Sequence, residues 1–384
     1  MRQELVSLLS RVVAIDSVNP ALVPGAAGEA GIAAFVANEL ERLGARVAIV
    51  PAVKENRPSV LGVITGTGGG RSLLLYSHLD TVGVEGLVDP HRPAVQDDKF
   101  FGRGSLDMKG GLASVLLAAK VFARARPAGD VYIAAVSDEE SDSAGMEAVL
   151  HDLGRRQIHP DAAIVPEPTG MDLCLAHRGF AWITITTRGR AAHTALRADG
   201  VNAIAHMGRV LTALEEYDRE LLERPAHPLL GHGAATVSLV QGGSELYTCP
   251  AHCRIDLVRR TLPGENRETI MRELDALLAA PGRTDPRFSA DFKIHLQRAP
   301  LETPAESPIV TTLAAMAHNE LGDAPGIVGA PYWTDAGLLA EAGIPSVIFG
   351  PSGEGPHADV EWVSLSSVEA LTRILIGTAR AFCS

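Results

Sequence analysis

The stretch "LLLYSHLDTVGV", residues 73 to 84, passes from unbroken apolar positions into polar ones. Three leucines and a tyrosine predict a buried strand, and in an extended chain residues two apart share a face, so His78 and Asp80 point together. That pair reads either as a polar strand end or as a metal ligand with a carboxylate behind it. Other apolar runs end the same way: "DVYIAAVSDEE" stops at Glu139 and Glu140, and "PSVIFG" leads into the loop carrying His357. Strands are also expected near 46–50 and 59–64. Between the strands, apolar residues fall three and four apart, as on a helix buried along one stripe. Residues 30–43 form one such stretch, Leu5, Leu8, Leu9, Val12 and Val13 another, and Leu112, Val115, Leu116, Ala119 and Phe122 after "DMKGG" a third. This rhythm predicts an α/β domain with a mostly parallel central sheet flanked by helices, in which functional residues gather at the carboxyl ends of strands.

The pattern changes near residue 178. "FAWITITTRG" alternates strictly, a long helical stretch spans about 200 to 223, and alternation returns in "ATVSLVQGG", "CRIDLVRR" and "ADFKIHLQ". Half-buried strands beside long helices predict a smaller α+β domain. After about residue 298 the α/β rhythm resumes with a helix over 308–321. The chain is therefore expected to hold a discontinuous domain, 1–177 and 298–384, with residues 178–297 inserted into it. A length of 384 residues agrees with two domains, and 46% hydrophobic residues suffice for large cores.

A formal charge of −12 with no basic stripe argues against a nucleic-acid partner, which needs clustered cations facing phosphate. No run approaches a membrane span, and the N-terminal stretch lacks the apolar core and cleavage site of a signal peptide. The four cysteines, Cys174, Cys249, Cys253 and Cys383, are few and scattered, which suits reduced thiols in a cytoplasmic protein. Cys249, His252 and Cys253 lack a second ligand pair at finger-like spacing. "GTGGGRS" lacks the lysine and spacing of a phosphate loop and is read as a turn.

Three more acidic sites stand in loop contexts. Asp107 lies in "GRGSLDMKGG", where glycines let the backbone turn tightly, Glu139 and Glu140 are adjacent, and Glu167 stands between two prolines after the apolar "AAIV". Each alone has a bland explanation as a solvated charge or a turn. Together they occupy successive strand ends, and histidines with carboxylates but no thiolate are the ligand set of an open, catalytic zinc site, with one carboxylate free to bridge a second metal.

The ordered motifs resemble the dinuclear zinc amidohydrolases and metallopeptidases that include acetylornithine deacetylase, succinyl-diaminopimelate desuccinylase, carboxypeptidase G and the aminoacylases. The resemblance runs from "SVNP" near the start to the final histidine loop. It implies that His78, Asp107 and Glu167 hold one metal, that Asp107, Glu140 and His357 hold the other, and that Asp107 bridges them. Asp80 would orient His78, and Glu139 would take a proton from a water bridging the metals. A cis peptide bond is implied between Asp107 and Met108. The inserted domain would dimerise, with His193 in "GRAAHTA" reaching the partner subunit's site and Arg260 contacting a substrate carboxylate. Two zinc ions are the expected cofactors, with cobalt or manganese as alternatives.

The chain departs from that family in places. It reads "PYWTDAG" where a glycine-rich substrate segment is usual, so Tyr332, Trp333 and Thr334 stand at that position, and the aromatic pair is open to both packing and substrate contact. Asp142 replaces a glycine after "DEE", and Val360 precedes Glu361 in place of an Asp or Asn. The expected activity is amide hydrolysis of N-acyl amino acids or related small substrates by a cytoplasmic homodimer. A metallo-exopeptidase acting on dipeptides or as a carboxypeptidase is the nearest alternative, and a noncatalytic metal-binding scaffold is the alternative from another class.

Overall fold

In the computed structural model the described residues are 1–51 and 57–384. They divide into two compact units, one of Met1–Leu175, Thr303–Val328 and Thr334–Ser384, the other of Ala176–Glu302 and Gly329–Trp333.

The first unit is built on strands that are buried at every residue: Leu73–His78, Val131–Val136 and Ala162–Val165. Burial on both faces is why these strands are continuous apolar runs with no alternation. Along the sheet the order is Arg46–Pro51, Pro58–Ile64, Val131–Val136, Leu73–His78, Ala162–Val165 and Ser346–Ile348. The last four pair in parallel, while the first two are antiparallel at the edge. Register aligns the strand ends. His78 lies opposite Val136 and Ile348 opposite Val165, so the segments after these strands leave the sheet at one edge.

Helix Arg2–Val13 buries the expected stripe of Leu5, Leu8, Leu9, Val12 and Val13. Ala30–Arg42, Gly110–Arg124 and Pro308–Leu321 also match their predicted stretches. Helices Ala144–Arg155, Arg267–Gly282 and Leu365–Phe382 add to the expected set. Two of them carry a local start signal: Asn266 accepts a hydrogen bond from the Thr269 amide and Ser364 from that of Ser367, each satisfying a donor the first helical turn leaves open.

The second unit is an antiparallel sheet in the order Ala234–Gly242, His252–Thr261, Gly179–Arg188, Ser289–Arg298. Its core contains Ile183 and Ile185, Ile255 and Leu257, and Val210, Leu214, Ile270 and Leu274 from helices Ala203–Glu223 and Arg267–Gly282. Alternation in the strands reflects helices on one face. Among the described residues no helix is long and apolar enough to cross a membrane, and no disulfide joins the four cysteines.

Candidate metal centre

Four of the expected residues leave the carboxyl edge of adjacent parallel strands. His78 is the last residue of its strand and is buried. Its Nδ1 lies 3.0 Å from the Asp80 carbonyl oxygen and 3.7 Å from the Asp80 carboxylate. A ring N–H donated to that carbonyl leaves Nε2 as a lone-pair donor. Nε2 is 3.0 Å from Asp107 Oδ1 and 3.6 Å from Glu167 Oε1. The Asp80 carboxylate also accepts the amide N–H groups of Glu139 and Glu140 at 3.1 Å each.

Asp107 comes from a loop that the sequence marks only by its glycines. Gly104 has φ 76°, in the left-handed region that favours glycine, and the Asp107–Met108 peptide bond is cis. Glu361 anchors the loop. One of its oxygens accepts from the Leu106 and Asp107 amides at 2.9 and 3.1 Å, and the other from the Gly104 amide and the Arg103 guanidinium at 2.8 Å each. The short strand Trp362–Ser364 beyond Glu361 pairs with Lys99–Phe101 on one side and Gly353–Glu354 on the other. That small sheet brings the His357 loop beside the Asp107 loop. His357 Nε2 lies 3.2 Å from Asp107 Oδ2 and 3.1 Å from Glu140 Oε2.

The result is two donor groups, His78, Asp107 and Glu167, and Asp107, Glu140 and His357, each with its ligand atoms within 4.8 Å of one another. Asp107 belongs to both and turns one oxygen to each histidine. Glu139 belongs to neither.

The electrostatics suit cations. Burial raises Glu139 and Glu167 well above the ordinary carboxylate range against the pull of His78, and burial followed by repulsion from Asp107 raises Glu140. Hydrogen bonding to Asp107 and then Glu140 lifts His357 to about 10. His78 is raised well above its usual value by Glu167 and Asp107 although burial opposes it, and the two imidazoles hold Asp107 far below its ordinary value despite burial. Crowded acids favour positive charge among them. The buried Glu140 Oε1 and Glu167 Oε1 have no hydrogen bond among the described residues. Orphaned acceptors in a nitrogen and oxygen donor set without thiolate fit two divalent cations.

The other expected residues belong to neither donor group. His193 and Arg260 belong to the second unit. His193 is exposed, pairs with Thr248 in an isolated bridge, and its Nδ1 accepts the Ala195 amide at 3.1 Å. Arg260 stands over the Phe180 ring, and burial and then Arg178 lower its pKa. Trp333 packs edge-on against Phe180 and His177 and donates Nε1–H to the Ala299 carbonyl at 2.9 Å, Tyr332 is exposed, and the buried Thr334 hydroxyl accepts from the Ala336 amide at 3.3 Å. Sequence reasoning does not single out Asn19, Glu29, Arg57, Arg103, Asp138 or Asp335 as site residues. Asp335 is buried and accepts the Tyr76 hydroxyl at 2.7 Å, and burial pushes it up to about 7.

A family model for peptidase family M20/M25/M40 matches residues 74–381. The chain belongs to this family. Within it, the chain is similar to acetylornithine deacetylase of Aliivibrio salmonicida, 28% identical over 355 residues, covering 91% of this chain and 90% of the relative. It is also similar to N-formyl-4-amino-5-aminomethyl-2-methylpyrimidine deformylase of Bacillus subtilis, 27% identical over 417 residues, with 100% and 95% covered. A solved Bacillus subtilis structure, described as a dinuclear metal-binding peptidase of the M20 family, shares the fold with a TM-score of 0.74 at 16% identity, covering 100% of this chain and 98% of that one.

Proposed function

We propose that this M20 protein is a dizinc deacylase that hydrolyses the amide bond of an N-acyl amino acid or a closely related small substrate. The observation that carries the reading is the pair of donor groups sharing Asp107, with Glu139 beside them and outside both. His78, Asp107 and Glu167 would hold one cation and Asp107, Glu140 and His357 the other. Nitrogen and oxygen donors suit zinc, and cobalt or manganese would suit the same set. A bound cation pair supplies Lewis acidity, polarising the scissile carbonyl and making water a stronger acid. Glu139 accepts the proton of the attacking water at a carboxylate oxygen and delivers it to the leaving amine nitrogen. His193, supplied by a partner subunit, donates to the developing oxyanion, and Arg260 pairs with the substrate carboxylate, with Tyr332, Trp333 and Thr334 beside the substrate.

In this reading 1–177 and 298–384 form the catalytic domain and 178–297 a dimerising lid. A homodimer is supported by strand Ala234–Gly242, an edge strand of its sheet with Leu239 and Val240 exposed, since an uncovered apolar edge invites pairing. Four scattered cysteines in a chain of 384 residues support a reducing, cytoplasmic setting. The likeness to a metal-binding peptidase supports peptide-bond cleavage as the second reading.

The test is a panel of acetyl, formyl, succinyl and aromatic N-acyl amino acids beside dipeptides, with the zinc-loaded protein. Acyl substrates turning over faster, with loss on chelation and recovery on zinc addition, is the expected result; dipeptides turning over faster would establish the second reading. Metal analysis gives an independent check. Asp107→Ala should impair both sites and His357→Ala mainly one, and an Asp107→Ala protein holding two metals at wild-type affinity would refute the shared ligand.

A further inference from the structure

Behind the Glu139–Glu140 turn lies a set of buried polar and charged side chains that belong to neither donor group. Asn19, Glu29, Arg57, Asp80 and Asp138 are all at most 5% exposed. The Arg57 guanidinium donates Nε–H to Glu29 Oε2 at 3.0 Å, a second N–H to Glu29 Oε1, and a third to Asp138 Oδ1. Asn19 donates its amide to Asp80 Oδ2 at 2.8 Å and to Asp138 Oδ1 at 3.3 Å.

These acids in turn hold the backbone of the turn. Three successive amides point at two carboxylates: Asp138 N–H donates to Glu29 Oε1, Glu139 N–H to Asp80 Oδ1 and Glu140 N–H to Asp80 Oδ2, each at 3.1 Å. Asp138 has φ 69°, a left-handed conformation that an aspartate tolerates when its neighbours impose it. Glu29 and Asp138 share one guanidinium, so the fork both neutralises them and fixes their separation.

We propose that Arg57, acting through Glu29 and Asp138, and Asn19, acting through Asp80, are positioning residues that hold Glu140 inside its donor group and Glu139 outside it. Without the fork, two adjacent carboxylates on a loosened turn compete for the same place. This inference rests on the reading that the two donor groups take divalent cations.

The test is zinc titration of the chelator-stripped protein against a competing chromophoric chelator, with thermal melting alongside. Arg57→Lys keeps the charge and loses the planar fork. It should remain folded, bind one zinc ion as wild type does and bind the other about 10 to 100-fold more weakly, the usual cost of losing an outer partner of a ligand. In the loaded enzyme kcat should fall about tenfold or more, with KM within about twofold, because misplacement of a reacting group by about 1 Å has that kind of cost. Asn19→Ser, which shortens the donor to Asp80, should also weaken zinc binding and provides the measurement if Arg57→Lys does not fold. A folded Arg57→Lys protein that melts earlier yet binds both zinc ions and turns over as wild type does would overturn the proposal, leaving Arg57 a stability residue. If wild type itself fails to take two zinc ions, the underlying reading falls and the brace with it, a result distinguished by appearing without any substitution.

Discussion

Each unit buries an arginine between two acids, and the two arginines do different things with them. Arg57 in the first unit holds Glu29 and Asp138, and those carboxylates pass on to the backbone of the Glu139–Glu140 turn and to Asn19. Arg259 in the second unit, 1% exposed, donates to the Tyr217 hydroxyl at 2.6 Å and to Glu265 at 2.7 Å, with Glu273 at 3.6 Å. Tyr217 belongs to helix Ala203–Glu223, Glu273 to helix Arg267–Gly282 and Arg259 to strand His252–Thr261, so this network ties two helices to a sheet. It ends in Arg224, which is partly exposed and pairs with Glu273 at 2.6 Å. The same ingredients hold the Glu139–Glu140 turn in one unit and pack helices on a sheet in the other. A buried ion pair is therefore not by itself a sign of a site; what its acceptors hold next is the informative part.

The largest effect that sharpens this contrast is on Glu139. Glu139→Gln removes the proposed proton carrier and no member of either donor group, so turnover should fall about a hundred to ten-thousandfold while both metals stay bound. Steady-state rates with metal analysis on the same sample decide it. Near-normal turnover, or loss of both metals, would remove the distinction between Glu139 and Glu140.

Arg259→Met should have the opposite profile. Taking away the guanidinium leaves Glu265 and Glu273 facing a methionine, and breaking a buried pair from one side costs about 3 to 5 kcal/mol of stability. Denaturant unfolding should register that loss, while zinc affinity and the kcat of the folded fraction stay at wild-type values. A change in zinc affinity would break the comparison, since it would couple the packing arginine to the metal centre.

Much of the centre is legible in the sequence because parallel sheets put chemistry where apolar runs stop. His78 ends a strand readable from continuous hydrophobicity, Glu139, Glu140, Glu167 and His357 follow such strands, and His78 and Val136 fall opposite one another in register. The braces are not legible. Arg57 sits in the polar stretch "KENRPS" and looks like a surface residue, although its guanidinium is buried; no periodicity separates it from Arg46 or Arg71. Asn19 lies in "SVNP", where nothing local gives it a role, and its contacts with Asp80 and Asp138 span 61 and 119 residues of chain, beyond the reach of local patterns. Glu361 stands out in the sequence only for its neighbour Val360, whereas its own carboxylate ties down Gly104, Leu106 and Asp107. Helices Ala144–Arg155 and Leu365–Phe382 show the same limit from the other side: buried apolar residues mix with polar ones, and tertiary packing decides between them.

The smallest signal concerns how the second unit takes part in chemistry if its buried charges serve only packing. Its candidate contribution is a surface residue, His193, whose exposed imidazole lies in a loop joined to Thr248 by a single bridge. In the proposed homodimer that imidazole completes the partner's site. Glu139→Gln and His193→Ala would then each be inactive, because every site in either homodimer lacks one group. Let the two proteins exchange subunits in equal amounts, and half the dimers are mixed. In a mixed dimer one site carries both defects, and the other combines an intact Glu139 with an intact His193, so about a quarter of all sites should be whole under two-fold symmetry. Activity should rise from near zero to roughly that fraction of wild type, on the time scale of exchange measured with differently tagged subunits. Confirmed exchange without recovered activity would show that His193 does not act across the interface, and would leave the second unit to contribute through Arg260 or through assembly alone.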